Sequence, residues 1–198
     1  MFQASAWKVL LIGGCSGVGK TRVAPMLARR FDAPLSQVDD LRMAIQSVTS
    51  PQEHPELHFF IDSVGVAKEG IWKTPPDVLC DALISVGIVV SRALEVVIAH
   101  HIASDRIILE GDGILPSMVG AFVGVQVRCV FLFESDKDFF FNEFHKNLEK
   151  TAEHWNAAPA HWLYGQWLIK EAKQYQLPLV SSRPWDTLAD RIQTAADL

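Results

Sequence analysis

The chain has 198 residues, of which 49% are hydrophobic and 21% charged, and its formal net charge is −5. This composition is typical of one globular domain with a sizeable core, and it excludes a disordered chain. Lysine and arginine are spread thinly, without the basic stripe that non-specific nucleic-acid binding needs. We therefore expect small-molecule partners; nucleic acid is the less favoured partner, and no membrane partner is expected.

The three cysteines, Cys15, Cys80 and Cys129, lie far apart and form no C-x-x-C pair. No secretory signal is recognisable at the N-terminus, so they indicate reduced thiols and a cytoplasmic protein. The longest apolar stretch, 82–99, is interrupted by serine, arginine and glutamate. These interruptions favour a buried helix over a membrane span.

The first predicted elements surround a glycine-rich loop. An apolar run at 8–13 leads into the pattern Gly14-x-x-x-x-Gly19-Lys20-Thr21, and a helical pattern follows. Strand, loop and helix in this order are the context of a phosphate-binding P-loop, whose backbone N–H groups point at phosphate oxygens. In that role Lys20 reaches the β- and γ-phosphates and Thr21 ligates Mg²⁺. The predicted nucleotide-binding residues are Gly14, Cys15, Ser16, Gly17, Val18, Gly19, Lys20 and Thr21.

A second strand, predicted at 33–38, is followed by Asp39 and Asp40 at the start of a helix. Asp39 is the candidate for accepting a proton from a substrate hydroxyl, with Arg42 one helical turn on as an anion clamp. The alternative is that the aspartates only cap the helix and that Arg42 is solvated. Asp40 is retained as a candidate substrate-binding residue.

Residues 49–76 contain four prolines and two glycines and are predicted to be an insertion with one short helix. Such segments often form substrate-binding flaps. His54 and His58 are four residues apart, but Pro55 lies between them and no partner ligand is visible. Zinc is therefore not expected, and His58 is a candidate substrate contact.

The rest of the chain continues the alternation of strands and helices. The predicted elements are a helix at 77–101, a strand at 106–111, a short helix opened by 112–116, a strand at 126–134, helices at 136–150 or beyond and at 159–174, a strand at 177–181 and a helix at 185–196. Five strands alternating with helices predict an α/β fold with a parallel sheet. Ligands bind beyond the carboxyl ends of such strands, where Gly14, Asp39, Glu110 and Ser181 lie.

Glu110 closes a purely apolar strand, where a carboxylate is costly without a partner. It is the candidate second Mg²⁺ residue, with Asp112 nearer the acceptor; a purely structural role for Glu110 is the alternative. Arg183 and Pro184 follow the last strand, where they can lie along an adenine ring or form an ordinary turn. Lys146 is either a phosphate clamp or solvated, because no arginine occurs between Arg128 and Arg183.

These motifs resemble the P-loop small-molecule kinases related to nucleoside monophosphate kinases, shikimate kinase and chloramphenicol phosphotransferase. The stretch 108–113, with Pro116 after it, looks most like 2-phosphoglycerate kinase-type proteins, and 39–42 looks like polynucleotide 5′-kinases. The resemblance implies one P-loop kinase domain over 1–198, a five-stranded sheet of order 2-3-1-4-5 with helices on both faces, ATP and Mg²⁺ as cofactors, and a helical lid at about 136–158. In these families the lid usually carries arginines, and this chain departs from that pattern.

Three functions are compatible with the sequence. The first is a kinase that transfers the γ-phosphate of ATP to a hydroxyl of a small, anionic metabolite. The second is a polynucleotide 5′-hydroxyl kinase, which the net acidity disfavours. The third is a nucleotide-binding switch or regulatory ATPase, in which a protein partner supplies the charge that the lid lacks.

Overall fold

A computed structural model describes residues 7–61, 68–147 and 155–198. Its five strands are β1 (Val9–Gly13), β2 (Leu35–Gln37), β3 (Ile107–Glu110), β4 (Val127–Phe133) and β5 (Leu179–Ser181). All neighbouring strands pair in parallel, in the order β2-β3-β1-β4-β5. The predicted fold class and strand order are thereby confirmed.

The helices follow the predicted alternation. They are α1 (Lys20–Phe31), α2 (Val38–Ser47), α3 (Pro76–Ala103), α4 (Pro116–Val119), α5 (Lys137–Asn147), α6 (Ala157–Gln174) and α7 (Leu188–Ala195). Every residue of β1 is buried, as expected for a central parallel strand covered by helices on both faces. The hydrophobic core therefore surrounds the strand that delivers the glycine-rich loop.

The strand register brings the predicted site to one edge of the sheet. Ile12 of β1 lies opposite Glu110 of β3, and Gln37 of β2 lies opposite the same glutamate. The chain leaves β1 into the glycine-rich loop and leaves β2 directly into α2. The carboxyl ends of three neighbouring strands therefore meet at Glu110, as the alternation predicted.

The helix predicted at 77–101 is α3, which begins at its proline because the first helical position needs no N–H donor. Among the described residues, α3 alone has the length and hydropathy to cross a membrane, with 33% of its apolar window buried. Core helices of soluble proteins meet the same criterion. Here the Val86, Val90 and Leu94 side of α3 is buried, and the helix contacts α6 and β1.

Three predicted segments differ in detail. The closing helix begins at Leu188 rather than Trp185, because its first i-to-i+4 bond is donated by Arg191 to Thr187. In the described part of the insertion, the short helix is a 3₁₀ helix at Ile71–Lys73, whereas the apolar patch 57–61 forms turns. Of the predicted lid, α5 ends at Asn147, and 148–154 lie outside the described residues.

Candidate active site

The glycine-rich loop joins β1 to α1 and has the backbone shape that its glycines predict. Gly17 and Gly19 have φ angles of 87° and 88°, a left-handed conformation that side chains rarely adopt. A Cβ atom on Gly19 would also lie 2.2 Å from the Trp185 ring. The loop is held from behind by Ser182, whose hydroxyl donates to the Val18 carbonyl at 3.0 Å. The loop is therefore built into the core.

Lys20 is buried at the start of α1, with only 6% of its side chain exposed. Its ammonium donates to the Cys15 carbonyl at 2.9 Å and forms an ion pair with Asp112. The Ser16 hydroxyl donates to the other carboxylate oxygen of Asp112 at 2.6 Å. Burial opposes both charges, but their mutual attraction prevails, so the pKa of Lys20 is raised and that of Asp112 is lowered. Lys20 is thus a charged group held in place beneath the loop.

Thr21 and Glu110, the predicted metal residues, lie together. The Thr21 hydroxyl donates to Glu110 at 3.1 Å, and Glu110 is 3% exposed. Burial raises the pKa of Glu110 against the opposing charge of Lys20. The hydroxyl and carboxylate oxygens match Mg²⁺, which is usually held by one or two carboxylates together with substrate phosphates. The described residues contain no cluster of three His, Cys, Asp or Glu side chains suited to a metal.

Asp39 lies on the first turn of α2, Arg42 follows about one turn later, and both face the same cleft. The Arg42 Nε donates to Asp39 at 3.4 Å, a long contact that leaves most of the carboxylate's hydrogen-bonding capacity unused. Burial and the nearby charge of Asp112 raise the pKa of Asp39, and Arg42 only partly offsets them. The Asp39 side chain is 55% exposed, so water screens this shift, and only its direction favours Asp39 as a base.

Two cavities meet at this cleft. The first, which we call the loop cavity, has a volume of about 370 Å³ and is lined by Ser16, Gly17, Gly19, Lys20, Thr21, Arg22, Gln37, Asp39, Glu110, Asp112, Glu143 and Trp185. The second, the apolar cavity, has about 230 Å³ and is lined by Ser16, Val38, Asp39, Arg42, Phe60, Ile61, Trp72, Leu83, Val86, Val90, Asp112, Gly113 and Tyr164. The linings share Ser16, Asp39 and Asp112, so a group bound in one cavity adjoins a group bound in the other.

Trp185, and not the predicted adenine contacts Arg183 and Pro184, lines the outer wall of the loop cavity. Arg183 is bound through two nitrogens to Glu134, at 2.7 and 2.9 Å, and its guanidinium lies 3.8 Å from the Phe139 ring centre. Trp185 lines the cavity instead, packed on the loop, with the Arg22 guanidinium 5.2 Å from its ring centre. The role of Arg183 and Pro184 in binding a base stays a prediction.

Three predicted substrate-binding residues, Asp40, His58 and Lys146, are not among the residues that line the loop cavity or the apolar cavity. Asp40 faces a separate cavity together with Leu41, and Lys146 is exposed and paired with Glu143. His58 is buried, with Nε2 3.5 Å from the Thr49 hydroxyl. Substrate contacts by these three residues stay predictions. Burial raises the pKa of Cys15 to about 12, so its thiol is neutral and agrees with a loop residue without chemistry.

The structure adds residues that sequence reasoning did not select. Phe60, Trp72 and Tyr164 line the apolar cavity, and Tyr164 donates from its hydroxyl to the Asp112 carbonyl at 2.6 Å. His161 is buried with its Nδ1 atom unpaired among the described atoms, and burial lowers its pKa to about 4. No motif marks these side chains, because they come from segments that only the tertiary fold brings together.

The sequence matches no protein-family model and no curated protein at significant similarity. Solved structures do match. A shikimate kinase from Bacteroides thetaiotaomicron has a TM-score of 0.58 at 16% identity, covering 96% of this chain and 98% of that one. A sugar kinase from Janibacter sp. HTCC2649 has a TM-score of 0.51 at 14% identity, covering 96% and 95%. The chain thus has the fold of the P-loop small-molecule kinases.

Proposed function

We propose that this protein is an ATP-dependent kinase that transfers the γ-phosphate to a hydroxyl of a small, anionic metabolite. The observation that carries the proposal is the meeting of the loop cavity and the apolar cavity at Asp39. Phosphoryl transfer needs a donor and an acceptor oxygen in line, with a group beside them to take the proton. One cavity for each reactant, with a carboxylate between them, meets that need.

The loop cavity suits the triphosphate. Backbone N–H groups of the loop and the α1 N-terminus offer positive partial charge, and Lys20 adds a full charge beneath them. Thr21 and Glu110 would hold Mg²⁺, which supplies charge neutralisation of the phosphates when bound. These groups would stabilise the negative charge that develops in the transition state, and such stabilisation is the main source of catalysis in phosphoryl transfer.

The acceptor would enter the apolar cavity with its hydroxyl at Asp39. Asp39 orients the hydroxyl and takes its proton, for which a raised pKa is suited. Arg42, 3.4 Å from Asp39, is placed to bind an anionic group on the same molecule. Arg42 is the one cation in the described part of the apolar lining, whereas a polynucleotide end needs a path for several phosphates.

Purified protein incubated with γ-labelled ATP, Mg²⁺ and a panel of hydroxy acids, phosphosugars and nucleosides tests the proposal. We expect labelled product from at least one acceptor, and none from a Lys20→Met variant. If ATP binds but the panel of hydroxy acids, phosphosugars and nucleosides yields no labelled product, the kinase proposal fails.

One observation favours a second candidate, a regulatory ATPase with a protein partner. The described residues of α5 contribute Glu143 to the loop cavity, and the neighbouring Lys146 is engaged by that glutamate. A partner could supply the missing cation in trans. Slow, acceptor-independent hydrolysis that a purified partner accelerates would favour this candidate.

We also place the protein in the cytoplasm, in keeping with three buried, free cysteines.

A further inference from the structure

Two facing walls of the apolar cavity are hydrocarbon or aromatic. On one side, α3 contributes the aliphatic side chains Leu83, Val86 and Val90. On the other side, the insertion contributes Phe60 and Trp72, whose ring centres are 5.6 Å apart. Neither the aliphatic groups nor the faces of the rings can replace the hydrogen bonds that a hydroxyl makes with water. The body of any ligand that fills this cavity must therefore be largely hydrocarbon.

The polar side chains of the lining are concentrated at the end where the loop cavity begins. Ser16 and Asp112 are bonded to each other, and the Tyr164 hydroxyl is bonded to the Asp112 carbonyl. Asp39 and Arg42 remain, linked by a contact of 3.4 Å. Among the described lining residues, Arg42 is the one cation. This pair matches one hydroxyl and one negatively charged group, and the described lining offers no comparable pair for further hydroxyls.

The size of the cavity sets a second limit. Its volume of about 230 Å³ lies below the range of about 300–1,000 Å³ that is usual for drug-sized ligands. A compact molecule with one ring or one branched chain fits it. A nucleotide or a disaccharide would extend beyond it into the loop cavity or the solvent.

We propose that the acceptor is a compact hydroxy acid with a hydrocarbon body. Its hydroxyl lies at Asp39, its carboxylate at Arg42, and its aromatic or branched body between α3 and the Phe60–Trp72 pair. Sugar acids with several hydroxyls are poor acceptors, because each extra hydroxyl loses its water without gaining a partner. This inference rests on the proposed kinase function and adds the substrate class to it.

The test compares two acids of equal heavy-atom count, 3-phenyllactate with one hydroxyl and shikimate with three. Phosphate transfer from γ-labelled ATP is measured for both. We expect kcat/KM to be at least about ten-fold higher for 3-phenyllactate, the order expected for a buried hydroxyl without a partner. We also expect 3-phenylpropanoate, which lacks the hydroxyl, to inhibit competitively.

A variant pair checks that the cavity wall sets this preference. Val86→Thr keeps the shape of the side chain and adds one hydroxyl to the wall, so it should shift the ratio of the two kcat/KM values towards shikimate. Val96→Thr makes the same change on the exposed side of α3, where 70% of the residue is accessible, and should leave the ratio unchanged. Circular dichroism establishes that both variants are folded. An equal shift in both variants, or none in Val86→Thr, contradicts the assignment of the wall.

The outcomes separate the inference from the proposed function. A preference for shikimate overturns the inference and leaves the kinase proposal standing. If neither acid is phosphorylated, binding of 3-phenylpropanoate, followed by tryptophan fluorescence, decides the ligand class. Binding that weakens in Arg42→Gln supports a hydrocarbon acid in this cavity even where the kinase proposal fails, and absence of binding overturns the inference.

Discussion

Replacing Asp39 with asparagine keeps the size of the side chain and removes its ability to take a proton. Asp39 lines both cavities and contacts Arg42 at 3.4 Å, whereas the hydrogen bonds of Lys20, Thr21 and Glu110 are made to other partners. General-base catalysis contributes a factor of about 10²–10⁴. At about 1.4 kcal/mol for each ten-fold change, this corresponds to about 3–5 kcal/mol of transition-state stabilisation.

We therefore expect Asp39→Asn to lower kcat by about 10²–10⁴ and to change the dissociation constant of ATP by less than about three-fold. Steady-state kinetics with a saturating acceptor gives the first quantity, and calorimetric titration with a non-hydrolysable ATP analogue gives the second. Asp40→Asn is the matched control, since Asp40 is the next residue of the same turn and faces a different cavity. Its kcat should stay within about two-fold of the parent protein.

Two results would refute this reasoning. Equal losses of turnover and ATP affinity in Asp39→Asn would mean that Asp39 supports the nucleotide site and not the acceptor. A comparable loss of turnover in Asp40→Asn would mean that the variants act by disturbing α2. Thermal unfolding of both variants separates the second case from a chemical role.

Three further predictions concern the metal site, the contact of Trp185 with the nucleotide, and the stability that the Glu134–Arg183 ion pair provides. Glu110→Gln should raise the Mg²⁺ concentration for half-maximal activity by about ten-fold or more, and an unchanged Mg²⁺ titration would remove Glu110 from the metal site. Trp185→Ala should weaken ATP binding by about three- to ten-fold in calorimetry, while Trp155→Ala, at a side chain 71% exposed, should not. Glu134→Gln should reduce the free energy of unfolding in urea at pH 7 by about 1–2 kcal/mol, because the half-buried Arg183 loses a charged partner. The pKa of Glu134 is lowered despite its burial, so this difference should be full above the ordinary glutamate pKa of about 4.3 and should shrink as the pH falls through the lower pKa of the folded state. A difference that does not shrink on acidification would contradict the assignment.

The glycine-rich loop was predictable because a short, continuous stretch of sequence determines its shape. Positive φ angles at Gly17 and Gly19 need glycine, and the loop lies between a strand and a helix whose patterns are strong. Strand alternation then predicts that Glu110 and Asp39 follow neighbouring strands. Those residues meet as expected, and the strand order is the predicted one.

The apolar cavity was not predictable in the same way. Its walls combine α3, the insertion and α6, and Tyr164 is 52 residues from the Asp112 carbonyl that it contacts. Helical periodicity shows that Val86 and Val90 lie on an apolar face, but it does not distinguish core packing from a cavity wall. A cavity is a property of how separate elements fail to fill the space between them, and no local pattern encodes it.

The position of Arg183 shows the same limit. The pairing of Phe133 with Ser181 brings the chain ends after β4 and β5 together, and so places Glu134 against Arg183. The two residues are 49 positions apart. The Arg183 guanidinium is held by two hydrogen bonds to the buried Glu134 carboxylate. It therefore lies over the Phe139 ring and does not line the loop cavity.

Two aspartates line both cavities, and their environments assign them different tasks. Asp112 is occupied on both carboxylate oxygens, by Lys20 and by Ser16, and the lysine holds its pKa below the ordinary range. A carboxylate so neutralised has little basicity to offer a hydroxyl. Asp39 has one long contact to Arg42 among the described atoms, and burial together with the charge of Asp112 raises its pKa. In the proposed kinase reaction, the ion pair that holds Lys20 therefore also leaves Asp39, rather than Asp112, as the carboxylate suited to accept the proton.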